Sequence, residues 1–474
     1  MSKDEIISQL RAENASLKEE NASFKLLLTT ALSRISELEA RLHLDSTNSG
    51  KPPSSDGLKK KPAFPRNKGG RRGGKPGHKG NTLKMVAQPD HESLHFPELS
   101  ACSCGHSLSD VEALPGEEKR QVFDLPPRLL SITEHRVVVK CCPGCGQVHK
   151  GEFPTKVSAP AQYGPRVRAL ISLLNVEQSL PVGRVSELFA ALTGYELNQN
   201  TIVSAVNRMA EDLEQDTECI KQKILATPVA HADETGVRIG GKLHWEHDLV
   251  TELYTYFFVH EKRGRKALES SESITDQYEG TLIHDCWSSY FNLNCSTHGL
   301  CGAHLLREVK NLSDNHERKG ASRMHDILMY AYQFSDNGKG VLPDKKLKVV
   351  HKQFAKILAI ADKEEPPPII KKKGRHKKSK GRNLMDRLVQ YEDYVLNFAI
   401  TENIPFTNNL AERDIRPWKT KLKVSGCFRT LDGAKRYARI KGFCSTVRKH
   451  GLSVYEQLIA AMDGQSFLVE GVAT

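Results

Sequence analysis

From Asp4 to Leu44 apolar residues return every seven positions, Leu10, Leu17, Phe24, Ala31 and Leu38 on one seam and Ile7, Leu28, Ile35 and Leu42 on the other. The spacing predicts a coiled coil over residues 1–44. Asn14 and Asn21 interrupt the second seam, and a buried Asn favours a parallel, in-register pair because its amide finds a partner across the dimer axis. Self-association through this segment, as a homodimer or higher oligomer, is therefore expected. A single amphipathic helix docked on its own domain would carry the same pattern.

The pattern then lapses. Residues 45–85 are rich in Ser, Pro, Gly, Lys and Arg and bury too little to fold alone, so they read as a disordered basic linker. Over residues 86–155 strand-like runs, Gln121 to Phe123 and Ile132 to Lys140, lie between two cysteine pairs. Pro165 to Asp216 reads helical, and Val185 to Gly194 followed by Leu197 to Met209 has the layout of helix, glycine turn and helix, with Asn198 or Asn200 as cap. A helix-turn-helix in residues 156–226 would offer Asn200, Thr201, Ser204 and Asn207 to a DNA groove; a plain helical hairpin fits equally well.

Period-two alternation follows. Strands are expected at Pro228 to Asp233, Gly236 to Ile239, Lys242 to Val250, Glu252 to His260 and Gly280 to Asp285, with a Gly240-Gly241 hairpin turn and a helix at about Arg263 to Ser273. That order is the one of a ribonuclease-H-like sheet, and it would set Asp233 and Asp285 on neighbouring strands.

At 474 residues the chain exceeds a single core. Its net charge of +12 is uneven: Lys51 to Gly80 holds ten Lys/Arg against one Asp, and Lys371 to Arg382 holds eight against none. Both runs suit phosphates, with Lys59, Lys60, Lys61, Arg71, Arg72 and Lys75 in the first and Lys371, Lys372, Lys373 and Arg375 in the second; a solvated charged linker is the alternative. No apolar stretch reaches the roughly 18–20 residues a bilayer needs, and the amino-terminus is polar, so no membrane association and a reducing, nucleoid-containing cytoplasm are expected.

Cysteine clustering changes the picture in the middle of the chain. Cys102-Ser-Cys104-Gly and Cys142-Pro-Gly-Cys145-Gly resemble two knuckles, which predicts a structural zinc ion on Cys102, Cys104, Cys142 and Cys145, with Cys141 or His106 as substitutes. The first half is one residue short of the usual knuckle loop. Acidic residues change it again. His231-Ala-Asp233-Glu234, His284-Asp285 and Asn408-Asn-Leu-Ala-Glu412 each place a carboxylate at an element edge, and carboxylates gathered in one pocket usually surround divalent cations. Alternation does not say whether Asp233 or Glu234 enters such a pocket. Glu412 would serve equally in a capping box with Asn409.

These motifs together resemble the insertion sequence sixty-six family of bacterial DDE transposases. The likeness runs over nearly the whole chain, and its most specific parts are His231-Ala-Asp233-Glu-Thr, Cys301-Gly-Ala-His304-Leu-Leu-Arg307 and Asn409-Leu-Ala-Glu412-Arg413-Asp-Ile-Arg416-Pro. It implies Asp233, Asp285 and Glu412 as a catalytic triad holding two Mg²⁺, with Mn²⁺ as a substitute, and a supporting role for Cys301, His304, Arg307 and Arg413. It also implies DNA-end contacts by Lys419 and Arg429. The 126 residues between Asp285 and Glu412 are then explained by a helical insertion at about 319–400 in a core of 227–430, before a helical tail of 431–474.

The fold expected is thus multidomain α+β: coiled coil, basic linker, zinc-binding ribbon, helical DNA-binding region and an integrase-type ribonuclease-H-like core. The activity implied is metal-dependent cleavage of transposon ends and strand transfer into target DNA, with small accessory proteins of the same element as partners. The alternative is a catalytically inactive DNA-binding regulator derived from a transposase.

Overall fold

The computed structural model describes residues 3–42, 44, 83–95, 102–104, 106–109, 111, 119–336, 340–368 and 378–470. Lys59, Lys60, Lys61, Arg71, Arg72 and Lys75 of the linker, and Lys371, Lys372, Lys373 and Arg375, lie outside these residues. The chain divides into two compact units, Pro62–Ser158 with Ala191–Gly194, and Met1–Lys61 with Ala159–Ala190 and Tyr195–Thr474.

In the smaller unit a hairpin of β1 (Val139–Cys141) and β2 (Val148–Lys150) pairs Cys141 with Val148. Its turn closes as Gly146 N–H donates to the Cys142 carbonyl at 2.9 Å, with Gly146 at φ 74°. Of the strands expected over 121–123 and 132–140, only Val139 and Lys140 are in a strand. Val122, Leu125 and Ile132 are exposed, so no buried face rewards a ladder there. Gln121 instead clasps Val86, its amide accepting from the backbone N–H at 2.7 Å and donating to the carbonyl at 2.8 Å.

The larger unit begins with α1 (Lys3–Leu42), a 40-residue helix whose Leu10, Leu17, Phe24, Leu28, Ile35 and Leu38 are exposed. Glu37 pairs with Arg34 at 2.6 Å and Arg41 at 2.7 Å along its exposed surface, where solvent screens both pairs. After the break come α2 (Pro165–Ser172), α3 (Val182–Thr193), α4 (Gln199–Asp212) and α5 (Glu214–Leu225). Helical structure is not continuous here: a π-helical turn, Leu173–Glu177, follows α2. It delivers Glu177 to a buried ion network, 2.8 Å from both Lys441 and Arg448. Between α3 and α4 Gly194 takes φ 77°, and Asn198 caps α4 by accepting from Asn200 N–H at 2.8 Å.

β3 (Val229–Ile239), β4 (Lys242–Val250), β5 (Thr255–His260), β6 (Thr281–His284) and β7 (Thr297–Leu300) form one sheet in the order β5-β4-β3-β6-β7. β3, β4 and β5 are antiparallel neighbours, whereas β6 runs parallel to β3 and β7 parallel to β6. β3 is continuous where two shorter strands were expected, and Gly240 and Gly241, at φ 54° and 79°, supply the left-handed turn into β4. The helix expected at Arg263 to Ser273 contracts to α6 (Arg265–Leu268), and β7 was not foreseen.

Helices α7 (Gly302–His316), α8 (Lys319–Phe334), α9 (Asp344–Glu364), α10 (Lys380–Gln390) and α11 (Glu392–Ile400) separate β7 from α12 (Asn409–Ser425), α13 (Leu431–Lys449), α14 (Val454–Ala461) and α15 (Phe467–Glu470). Two apolar cores result. One joins α2, α4 and α5 to β3–β5 and α12–α14 around the fully buried Trp418; the other joins α7–α11 around Phe354. Leu282 belongs to the first and its neighbour Ile283 to the second, so β6 serves both.

The start of α7 is pinned by Gly302, whose N–H donates to the Phe406 carbonyl at 2.8 Å and whose missing Cβ leaves room for the Phe406 ring. Gly302→Ala should therefore destabilise the fold by about 1–3 kcal/mol, read as a lower urea midpoint, because the ring must shift in a packed core.

Candidate functional site

Strand register sets the site. His231 of β3 faces Ile283 of β6 in a parallel ladder, so the register puts Asp233, still paired with Asp248 of β4, beside Asp285, the first residue after β6. Each is tied locally. Asp233 Oδ1 accepts from Glu234 N–H at 2.9 Å, and Asp285 Oδ1 from Trp287 N–H at 3.1 Å. Behind Asp285, His284 and His298 share a 2.9–3.2 Å class hydrogen bond of 3.0 Å, and burial pulls their pKa values down to about 3 and about 4, so both rings are neutral at pH 7.

The third carboxylate arrives from 126 residues away, and Asn408 brings it. This side chain is buried, donates to the Ala232 carbonyl at 2.8 Å and meets His231 Nδ1 at 2.9 Å. Since Nδ2 is already the donor, Oδ1 must accept and His231 must carry its proton on Nδ1. Burial draws the His231 pKa down to about 4, which leaves that ring neutral. The Asn408 carbonyl in turn accepts from Glu412 N–H at 3.1 Å, fixing Glu412 in the first turn of α12. The capping box expected from Asn409 and Glu412 is not made: Asn408 is the cap position, its side chain is spent on β3, and the Glu412 carboxylate turns elsewhere.

Adjacent to Asp233, Glu234 is a different kind of acid. Arg263 donates to Glu234 Oε1 from Nε at 2.8 Å, Tyr290 donates to Oε2, and the guanidinium lies 4.8 Å from the Trp245 ring and 4.5 Å from that of Trp287. Glu234 is thereby paired in place, although burial still pushes its carboxyl up. Asp233 has no such cation beside it: burial pushes its carboxyl well above the usual range, and the charges of Glu234, Asp285 and Glu412 push it the same way. A pocket whose strongest fields are all negative fits a divalent cation better than it fits a salt bridge.

Two further acids, unforeseen from sequence, deepen that field. Asp248 is opposite Asp233 in the β3–β4 ladder and accepts from its N–H at 2.7 Å; among the described residues its Oδ2 has no hydrogen-bond partner, and neither does either oxygen of the fully buried Glu246. Burial drives both carboxyls well up, followed for Asp248 by the charge of Glu246 and for Glu246 by that of Asp233. Their alternation within Trp245-Glu-His-Asp-Leu249 was the signal, acids at every second residue of an otherwise buried strand.

Glu412 itself faces α7. Its Oε1 lies 3.9 Å from Cys301 Sγ and 3.5 Å from His304 Nδ1, and its Oε2 lies 4.0 Å from Arg307. Among the described residues, Cys301, His304 and Glu412 are the one group of three or more whose possible ligand atoms all lie within 4.8 Å of one another. Asp233, Asp285 and Glu412 thus share one edge without converging to that distance. The cysteines of the smaller unit fall into two pairs, Cys102 with Cys104 and Cys142 with Cys145, each close enough to hydrogen-bond and so lower the pKa of Cys102 and Cys142. The four do not form such a group. Asn200, Arg413, Lys419 and Arg429 are exposed, and Thr201 is half-buried.

Because the fold keeps Glu246 protonated where an unfolded chain would ionise it, stability is greatest below the usual Glu pKa and declines as pH rises through it. Glu246→Gln should accordingly melt above the parent protein in metal-free buffer, by a margin that widens from about pH 5 to about pH 8 and vanishes near about pH 4. Scanning calorimetry across that range checks it.

Residues 160–436 match the Transposase IS66 family, and residues 2–84 match a Family of unknown function (DUF6444). The chain is also similar to Uncharacterized protein y4jO of Sinorhizobium fredii (strain NBRC 101917 / NGR234), 25% identical over 173 residues, which is 36% of this chain and 50% of that protein. It spans about half the length of this curated relative. With the family match covering more than half of its residues, including Asp233, Asp285 and Glu412, the chain belongs to the Transposase IS66 family.

Proposed function

We propose that this protein is a DDE-type transposase that cleaves the ends of its element and joins them to target DNA. The observation that carries the reading is the register: parallel pairing of β3 with β6 sets Asp233 beside Asp285, at the edge where Asn408 holds the first turn of α12 and Glu412. The strand order, three antiparallel strands followed by two parallel ones, is that of a ribonuclease-H-like sheet.

In this reading Asp233, Asp285 and Glu412 hold Mg²⁺, or Mn²⁺ in its place. Divalent cations at such a site activate the attacking hydroxyl and stabilise the oxygen that leaves in an in-line displacement at phosphorus. The chain's own part is orientation. Strand backbone fixes Asp233 and Asp285, whereas Glu412, on a side chain with three torsions, turns from Cys301 and His304 toward them. Water would be the nucleophile in cleavage and the freed 3′-hydroxyl in strand transfer.

DNA contacts would come from Lys419 and Arg429 beside the core, from Asn200 and Thr201 if α3 and α4 act as a helix-turn-helix, and from the two basic runs. The apolar seam exposed along α1 suits pairing with a second copy, which would bring two element ends together. Cys102, Cys104, Cys142 and Cys145 would take a structural zinc ion if their two pairs close on one another. Accessory proteins of the same element complete the expected partners. For location, no described helix is long and apolar enough to cross a membrane.

One observation favours the second reading, a DNA-binding regulator without catalysis: Glu412 faces Cys301 and His304 instead of the two aspartates. Nicking of a plasmid carrying the element's ends, in Mg²⁺, separates the two. Asp233→Asn, Asp285→Asn and Glu412→Gln should each lower cleavage by about 10³-fold or more while end DNA still shifts in a gel. Cleavage that survives in any of the three removes that residue from the triad, and no cleavage by the parent protein with its accessory proteins present leaves the regulator.

Removal of residues 1–44 should spare binding to a single end and abolish the paired-end complex. Mass photometry with labelled ends reads both, and an unchanged assembly would take the pairing role from α1.

A further inference from the structure

We infer that Cys301 Sγ, His304 Nδ1 and Glu412 Oε1 form a second cation site, one for a thiophilic divalent ion of the zinc class, and that an ion there holds Glu412 away from Asp233 and Asp285. The second half of this inference rests on the transposase reading; the first does not.

Geometry comes first. Glu412 Oε1 is 3.9 Å from the sulfur and 3.5 Å from the ring nitrogen, and all three ligand atoms lie within 4.8 Å of one another. Zinc with bonds of about 2.3 Å to sulfur and about 2.0–2.1 Å to nitrogen and oxygen sets its tetrahedral ligands roughly 3.3–3.7 Å apart, so small side-chain movements close the shell. The fourth position stays open to water. Cys301 precedes α7 and His304 lies one turn on, so the helix presents both on one side.

The surroundings also suit a metal thiolate. Cys301 is buried, and Asn408 N–H donates to its sulfur at 3.2 Å. That donor favours a thiolate, but burial outweighs it and pushes the thiol up to about 11, so the proton leaves only when an ion's positive charge draws it off. His304 Nδ1 is sealed from solvent and makes no hydrogen bond. A buried ring nitrogen in that state is costly unless something binds it. As the metal–sulfur bond forms, the thiol proton leaves to solvent.

Ligand softness separates this site from the carboxylate one. Thiolate and imidazole select zinc over magnesium, while Asp233 and Asp285 offer oxygen only. The two sites share Glu412, and its carboxylate cannot serve both.

The test uses the full chain with Cys142→Ser and Cys145→Ser, which thins out the other cysteine ligands, and Co²⁺ as the probe. Expected is a thiolate-to-cobalt charge-transfer band that saturates at one ion, disappears in Cys301→Ser and needs at least about tenfold more Co²⁺ in His304→Gln, a half-exposed position that should fold normally. Far-ultraviolet circular dichroism verifies folding of each variant. No band in the folded parent, or an undiminished one in folded Cys301→Ser or His304→Gln, overturns the site. Zinc should also inhibit Mg²⁺-dependent cleavage with the midpoint at which it displaces Co²⁺. Cleavage untouched by bound zinc overturns the competition for Glu412; binding without any cleavage at all leaves the cation site standing and sinks the transposase reading instead.

Discussion

Repulsion among buried carboxylates is the constraint to which the rest of the larger unit answers. Asp233, Glu234, Asp285 and Glu412 crowd one edge of the sheet, with Asp248 and Glu246 behind them on β4. Like charges in a poorly polarisable interior repel strongly, and a fold seeking stability alone would have replaced them with apolar side chains. Their retention concentrates negative potential where β6 ends beside the middle of β3. The same energy that opposes folding there favours whatever cation enters.

Elsewhere the fold compensates its buried charge locally. Asp414 is matched by Lys449 at 2.9 Å and by hydroxyls of Thr255 and Ser445, Glu177 by Lys441 and Arg448, and Glu234 by Arg263 and Tyr290. These networks link α12 and α13 to β5 and to the π-helical turn after α2. They also show that the sequence has cations to spend on buried acids. Asp248 has the field of Lys449, which is already paired with Asp414, and Glu246 the more distant field of Lys419. Asp216 is likewise buried, with the Ser466 hydroxyl donating to it, but several such acids gather only around Asp233.

Local rules made much of this legible. The Gly240-Gly241 turn, the alternation of β4, the cap at Asn198 and the acid closing β6 all depend on residues near in sequence, and there pattern and structure agree. What pattern missed depends on distant partners. β7 is four residues, with His298 and Gly299 in its centre, and becomes a strand because β6 is beside it and Asn397 donates to the His298 carbonyl. The capping box was expected from Asn409, yet Asn408 holds the cap position and β3, some 176 residues earlier, claims its amide. In the smaller unit the error ran the other way: Gln121 to Phe123 and Ile132 to Lys140 suggested strands, but Val122, Phe123, Ile132 and Val138 stay exposed, and only from Val139 does a ladder form. The choice between Asp233 and Glu234 was equally closed to alternation, since it turns on Arg263 and Tyr290 finding the one and not the other.

The three proposed ligands differ in how firmly they are held, and the difference has mechanical meaning. Asp233 and Asp285 issue from paired strands whose backbone hydrogen bonds leave them little travel. Glu412 stands in the first turn of a helix, where the partial positive charge of unpaired amides favours an anion in any of several rotamers. Cys301, His304 and Arg307 on α7 give it one resting place, and Asp233 with a cation would give it another. If Glu412 is the third ligand, it must turn from Cys301 and His304 while α12 stays anchored through Asn408. A transposase that stays idle until DNA and metal are both present would gain from such an arrangement, because carboxylates gathered at Asp233 and Asp285 repel a third until a cation reverses the sign.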